Sequence, residues 1–590
     1  MNFSLKPLRN FNINVSNIVF RKAGCRKINC KNERFGSLDM CALHCSEKNI
    51  DNSDTDKYIE NFYKLFTKYL NKEIEVEIYR TRSQCQNEME AREELEKIEQ
   101  DIEEYHMFVG GIETYGLSAN LKERLGNIDI VFKDYCFPDD TDMKYLDSEY
   151  HQILTYIGRV GFQRCHFDSS SLNLNSNTYY KSCKFRNDFI ITPFPKFGID
   201  EDYRYLSCIF KGNIHVSSLN NIKEISCNLF KECDFRGSIT ISNLNIKKSL
   251  FDLPKLLDNF EDKNFIENFN RFKKSYKIKN LTIMECSFDS SFKLNGFEDD
   301  YINKLKLNNI DFKVDDLVIS SIRIINSKFD SKFEIKNRVI KDFKFENSNI
   351  EKVFDAFESK FEKSYFYKSI FSDFSGFERV VFGAEGKDTE EYQAKFVYTT
   401  FMSFSNFRST IFLSGLDIES ANLKERPNFL KTKISPKNTK RETFRIIKKS
   451  FDDVGNQMEA NRFFVEEMKA YNKELDDGNK WDRLVYLANE EISDFGGSYT
   501  KPIKLLLLSI VIYTSWLSIH QSYFEEHIYF IHPWFDCLSK LANNSAKNFL
   551  PFSRFLVGKN GMEFISLVFY IWFGILIWQI IVAVKRHTQR

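Results

Sequence analysis

Along residues 359 to 377, SKFEKSYFYKSIFSDFSGF, a small residue stands two places before a phenylalanine five times: Ser359/Phe361, Ser364/Phe366, Ser369/Phe371, Ser372/Phe374 and Ser375/Phe377. The first three phenylalanines are five residues apart, a period that neither a helix nor a flat strand explains. The same pairing recurs upstream at Cys165/Phe167, Cys183/Phe185, Cys208/Phe210, Cys233/Phe235, Cys286/Phe288 and Ser327/Phe329, and downstream at Thr399/Phe401, Ser405/Phe407, Thr410/Phe412 and Ala421/Leu423. Phe162, Phe167 and Leu172, and Phe230 and Phe235, keep the fivefold step, while other pairs stand roughly one solenoid coil apart. A four-sided coil with five residues per side accounts for the period. Its central residue points inward each time, and only Ala, Ser, Cys or Thr fits two places earlier, near the corner. The pattern predicts a mainly β fold, a right-handed quadrilateral parallel β-helix over 127–430, with Phe361, Phe366, Phe371, Phe401, Phe407 and Phe412 in its ladder. Each buried Phe contributes about 1.5–3 kcal/mol. The alternative is an irregular all-β domain rich in aromatic strands. A lumen filled with side chains leaves no room for chemistry.

Elsewhere the apolar period is helical. Residues 51–126 contain two helical stretches, 56–70 and 87–106. The second is mostly charged, with sparse apolar sites at Met89, Leu95 and Ile98, and is expected to be a solvated face, or else a weak coiled-coil arm. The 252–280 insertion also reads as helical. Within 431–500, Phe444, Ile447, Phe451 and Val454, then Phe464, Met468, Tyr471 and Leu475, describe two amphipathic helices around a turn at Gly455, expected to cap the open end of the solenoid. The final region, 501–590, carries two uncharged apolar runs. The 564–584 run reaches about 31 Å as a helix, and 503–519 about 25 Å if Lys504 snorkels. They predict a two-helix membrane hairpin; the alternative is two buried helices of a soluble domain. Lys501 and Lys504 before it, and Lys585, Arg586 and Arg590 after it, favour both termini in the cytoplasm, although the connecting loop carries cations too.

Composition adds three constraints. Phenylalanine is 59 of 590 residues, as a repeat with an obligatory aromatic position requires. The net charge of +1 implies no field for polyanions, so no nucleic-acid partner is expected. The first twenty residues lack a signal-peptide core, so the 13 cysteines are expected to be cytoplasmic thiols or metal ligands. Cys25, Cys30, Cys41 and His44, in the spacing C-x4-C-x10-C-x2-H within 1–50, supply a tetrahedral donor set for structural zinc, with Cys45 as alternative fourth ligand. The bland alternative is a chance cluster of thiols. The LDMCALHC segment resembles the knuckle that closes small treble-clef or ribbon modules.

The repeat unit (small residue, any residue, Leu or Phe, two polar residues) makes residues 155–430 resemble the pentapeptide-repeat family, most closely over 359–423. The block GNQMEANRFFVEEMKAY followed by SDFGGSYTKP is similar to the joint between repeats and membrane helices in bacterial membrane-anchored members. The resemblance implies a β-helix held at the bacterial inner membrane and brings no catalytic residues. It also implies a non-enzymatic scaffold or sensor of the kind found among stress or phage-defence effectors, with a protein partner or self-association and an unknown small-molecule ligand, if any. No metalloprotease, hydrolase, phosphate-loop or dinucleotide motif occurs; DFG at 494–496 and GAEGK at 383–387 read as a junction turn and an insertion tip. An ion channel is the second function class, but FLVGKNGMEF (555–564) lacks a run of filter carbonyls and places Lys559 where cations would shed water. A passive tether is the third. The polar sites available to an assembled hairpin are Thr514, Ser515, Ser518, Ser566 and Gln579.

Overall fold

Short parallel strands joined by left-handed corners make up most of the computed structural model, which describes residues 26–27, 30–34, 40–45, 50, 54–80, 88–109, 117–139, 154, 156–168, 178–192, 203–218, 223–252, 269, 277–297, 318–474, 480–520, 539–543, 556 and 562–588. The chain divides into two units, Met1–Ile278 and Lys279–Arg590. The 252–280 insertion falls largely outside the described residues.

In the first unit, α1 (Thr55–Arg80), α2 (Glu88–Val109) and α3 (Ala119–Gly126) precede the strands. The strands pair in parallel so that Phe132, Phe162, Tyr180, Tyr205, Phe230 and Phe251 form one column. Phe137, Phe167, Phe185, Phe210 and Phe235 form a second. Rings stack within a column, as Tyr180 and Tyr205 do at 4.9 Å, and meet edge-on between columns, as Phe162 and Phe167 do at 5.5 Å. The two columns are five residues apart in sequence on every strand pair. Tyr180 and Tyr205 hold positions that counting phenylalanines alone overlooks.

The chain turns between columns at Asp134, Arg164, Ser182, Ser207 and Glu232, all with φ between 54° and 66°. None is glycine. The amide of each corner is used: Arg164 N–H donates to Lys181 O at 2.9 Å and Ser207 N–H to Lys231 O at 2.8 Å. The cysteine that directly follows the corners at Arg164, Ser182, Ser207 and Glu232 bonds carbonyls, as when Cys183 Sγ donates to Phe162 O (3.2 Å) and Lys181 O (3.5 Å).

α1 lays Phe62 and Phe66 on the first strands, 5.3 Å from Phe137 and 4.9 Å from Phe132 respectively. α2 is exposed along most of its described side chains, as its charge predicts, and seats one narrow face. Ile98, Asp101 and Tyr105 are buried, Arg124 Nε of α3 donates to Asp101 Oδ2 at 2.7 Å, and Tyr105 donates to Asn71 Oδ1 of α1 at 2.8 Å. Two apolar sites and the ion pairs of Arg124 with Asp101 and Glu94 help seat a helix whose composition is otherwise that of a surface.

The second unit repeats the parallel plan, with a 21-residue register from Ile319 through Ile340 and Phe361 to Phe382. Ser327, Ser348 and Ser369 lie one above another: Ser327 N–H donates to Ser348 Oγ at 3.0 Å, and Ser348 N–H to Ser369 Oγ at 3.3 Å. Ser348 Oγ in turn donates to Glu346 O at 2.7 Å. The small residue is therefore a hydrogen-bonding rung as well as a steric necessity. Phe361, Phe366, Phe371, Phe401, Phe407 and Phe412 are at most 1 % exposed, with Phe366 stacked on Phe396 at 4.6 Å and Phe371 on Phe401 at 5.0 Å. The GAEGK segment is a tight turn, with Ala384 bridged to Lys387 and positive φ at Gly383 and Gly386.

Five helices close this unit: α4 (Arg441–Asp452), α5 (Gln457–Glu474), α6 (Lys480–Ser493), α7 (Thr500–Ile519) and α8 (Glu563–Thr588). Thr439 Oγ1, just before α4, accepts Leu416 N–H at 3.1 Å, Thr443 Oγ1 of α4 accepts Ile418 N–H at 3.4 Å, and Arg462 of α5 donates to Thr432 O at 2.8 Å. Phe451 stacks on Phe463 at 5.6 Å across the Gly455 turn. Among the described residues, α7 and α8 are the two helices long and apolar enough to cross a membrane.

Candidate metal centre

The segment from Met40 to Cys45 is a single turn. His44 N–H and Cys45 N–H both donate to Cys41 O, at 3.0 and 3.1 Å. It is held from three sides: Tyr58 Oη of α1 donates to Cys45 O at 2.9 Å, Cys136 N–H to Leu43 O at 2.8 Å, and Cys136 Sγ to His44 O at 3.5 Å. A second turn, closed by Cys30 N–H donating to Lys27 O at 3.1 Å, brings Cys30 to meet it.

Cys30 Sγ lies 3.7 Å from Cys41 Sγ, and Cys41 Sγ lies 3.2 Å from His44 Nδ1. All three ligand atoms fall within 4.8 Å of one another, a group that could hold a metal ion. A tetrahedral zinc separates two thiolates by about 3.8 Å and a thiolate from an imidazole nitrogen by about 3.5 Å, so the donor set fits. Burial, helped by the Lys27 ammonium, holds His44 below the usual imidazole range despite the opposing Asp134 carboxylate, which keeps the ring neutral and able to bind a metal near neutral pH.

The spacing of cysteines gives no hint of the groups behind the ligands. Asn32 Nδ2 donates to Cys41 Sγ at 3.7 Å, and Tyr69 Oη of α1 donates to Asn32 Oδ1 at 3.0 Å. Lys27 pairs with Asp134 at 3.2 Å, and Asp134 also receives Arg164 at 2.9 Å. Burial pushes the neighbouring Cys136 thiol up to about 11.

Of the five residues the sequence nominates, Cys30, Cys41 and His44 come together. Cys45 turns away, its Sγ directed at Ala42 O at 3.9 Å, and is 3 % exposed. A residue next to His44 in sequence points to the other side of so tight a turn. Cys25 lies outside the described residues.

At the other end of the chain, four of the five polar groups nominated for an assembled hairpin, Thr514, Ser518, Ser566 and Gln579, are bonded within the protein. Tyr513 Oη donates to Ser566 Oγ at 3.1 Å, and Trp572 Nε1 to Ser509 Oγ at 3.0 Å, across the α7–α8 contact. Gln579 bonds Asn489 and Ser493 of α6 at 3.0 and 2.9 Å. Thr514 and Ser518 donate to carbonyls of their own helix. Tyr513, Ser509 and Trp572 were legible only as members of an apolar run.

No family model, no curated protein and no solved structure matches this chain.

Proposed function

We propose that this chain is a non-enzymatic scaffold of pentapeptide-repeat type, tethered to a membrane by the α7–α8 hairpin. In each unit the parallel ladders are coils of a right-handed four-sided β-helix, whose interior is side chains and whose outer faces are free to hold a protein partner. Zinc held by Cys30, Cys41 and His44 would pin the two N-terminal turns against α1, a structural role in a segment too small to fold alone.

The observation that carries the tether is the internal bonding of the hairpin. Ser566 and Gln579 already have partners, so side-by-side hairpins have few polar groups left with which to line a water path. This favours anchoring over a conducting effector and leaves the outer faces of the repeats as the working surface. Arg586 at the end of α8 donates to Phe495 O, and Asn461 of α5 donates to Arg586 O at 3.0 Å. Both observations agree with a hairpin whose two ends lie on one side of the bilayer, the cytoplasmic side by charge.

Exchange of 503–590 for an unrelated two-helix anchor tests the reading. The chimera is expected to keep full activity, including any protection seen when cells carrying the gene are challenged with a phage panel. Loss of activity in a folded, membrane-targeted chimera would overturn the tether and return the hairpin to an effector role.

A further inference from the structure

α6 presents an apolar stripe outward. Trp481 is 77 % exposed, Leu484 and Val485 are 58 % exposed each, and Ala488 is exposed too. These positions fall at i, i+3, i+4 and i+7, one face of a helix. The opposite face is firmly seated, since Tyr486 Oη donates to Met468 O at 2.7 Å and its ring lies 4.8 Å from that of Phe495. Phe495, Tyr486 and Val465 form a small buried cluster, so the outward stripe is fixed in direction.

The level of α6 relative to the hairpin is fixed by its bonds. Asn489 and Ser493 both meet Gln579, which precedes Lys585 by six residues, or about 9 Å of helix. The chain then moves toward the end of α8, where Phe495 O receives Arg586. The contact of α6 with α8 thus lies inside the apolar stretch, not beyond it. The two helices it packs on are themselves apolar and exposed at Leu507 and Val511 on α7 and at Trp578 and Ile581 on α8.

We propose that α6 is a third membrane element, one that lies in the boundary between lipid headgroups and acyl chains with Trp481, Leu484, Val485 and Ala488 in the lipid. A depth of this order is what amphipathic surface helices reach. An indole at the helix start suits that boundary, because one edge is apolar and the N–H can stay wet. The proposal rests on the reading of α7 and α8 as membrane spans.

The test uses the full chain in vesicles of phosphatidylcholine and phosphatidylglycerol. Leu484→Cys, Val511→Cys and Lys437→Cys variants carry an environment-sensitive fluorophore, and the unsubstituted protein labelled in parallel supplies the background. Nitroxide lipids quench at headgroup depth or at the bilayer centre. The label at 484 is expected to shift to the blue and to lose about twofold in intensity to the shallow quencher, the label at 511 to respond to the deep one, and the label at 437 to neither. Quenching at 511 with none at 484 would overturn the surface helix and leave the spans standing. Absence of quenching at both would overturn the spans, and the proposal with them. Disulfide cross-linking of copies through the cysteine at 484, without lipid quenching there, would assign the stripe to a second copy and also overturn it. Trp481→Cys repeats the measurement should Leu484→Cys fail to fold.

Discussion

From Asn326 to Arg379 a left-handed corner recurs every ten or eleven residues, at residues that carry full side chains. Lys368 has φ of 46° and donates its amide to Val397 O at 3.0 Å, so one backbone bond offsets part of the conformational strain. Lys368→Ala should stay within about 0.5 kcal/mol of the parent, whereas the β-branched Lys368→Val should lose about 1–2 kcal/mol; urea denaturation of the two variants checks this, and equal midpoints would mean the corner is not left-handed. Asp134 occupies another corner and is held down to about 2 from an ordinary 3.8, first by its bond with Arg164 and also by Lys27, against the opposing effect of burial. A depressed carboxyl stabilises the fold above its unfolded-state value, and that contribution disappears as pH falls from about 4 through about 2. Asp134→Asn keeps a side chain that tolerates the left-handed region. Its thermal midpoint should therefore lie below the parent's at neutral pH and converge with it as pH falls through that window. The corners at Arg, Ser, Glu, Lys and Tyr were hidden in the sequence, because those residues give no sign of positive φ, whereas Asn243, Asn326, Asn337 and Asn347 are of a type that tolerates it.

Among the elements, those with a strong period were legible and those held by a few specific contacts were not. The helices around Gly455 follow from Phe444, Ile447 and Phe451, and the apolar runs of α7 and α8 from hydropathy alone. α2 was hard to place because its seat depends on Asp101 meeting Arg124, a pair from different helices. α6 went unread because Trp481, Leu484 and Val485 form a stripe that faces outward, so no interior demanded it. In the metal group, C-x2-H spacing brought Cys41 and His44 to one side of a turn, but nothing in the spacing distinguished Cys45 as the residue turned away. That distinction is measurable. In the full-length protein loaded with zinc, Cys41→Ser should release the ion and Cys45→Ser should retain it, as read by elemental analysis after exhaustive dialysis. Equal loss from both variants would show that Cys45 is a ligand, and equal retention would show that the ion is held elsewhere.

At the scale of the whole molecule, the fivefold period carried the parallel stacking, because a register repeated every coil is written into the chain many times over. The contacts that finish each unit are written once. A parallel ladder leaves a row of amides and carbonyls at its last coil, and in the second unit Thr439, Thr443 and Arg462 occupy that row at Leu416, Ile418 and Thr432. Those three side chains are expected to block end-to-end pairing with a second copy. A chain ending at residue 438 would keep its columns of phenylalanine but present the bare coil as a template for its neighbours, and it should form fibres end to end that bind amyloid dyes and grow from seeds. Thr443→Val, which removes one acceptor and keeps the helix, should shorten the lag of that growth only slightly in the full-length protein. A truncated chain that remains monomeric at high concentration would show that the coil is blunted by some means other than its helical cap.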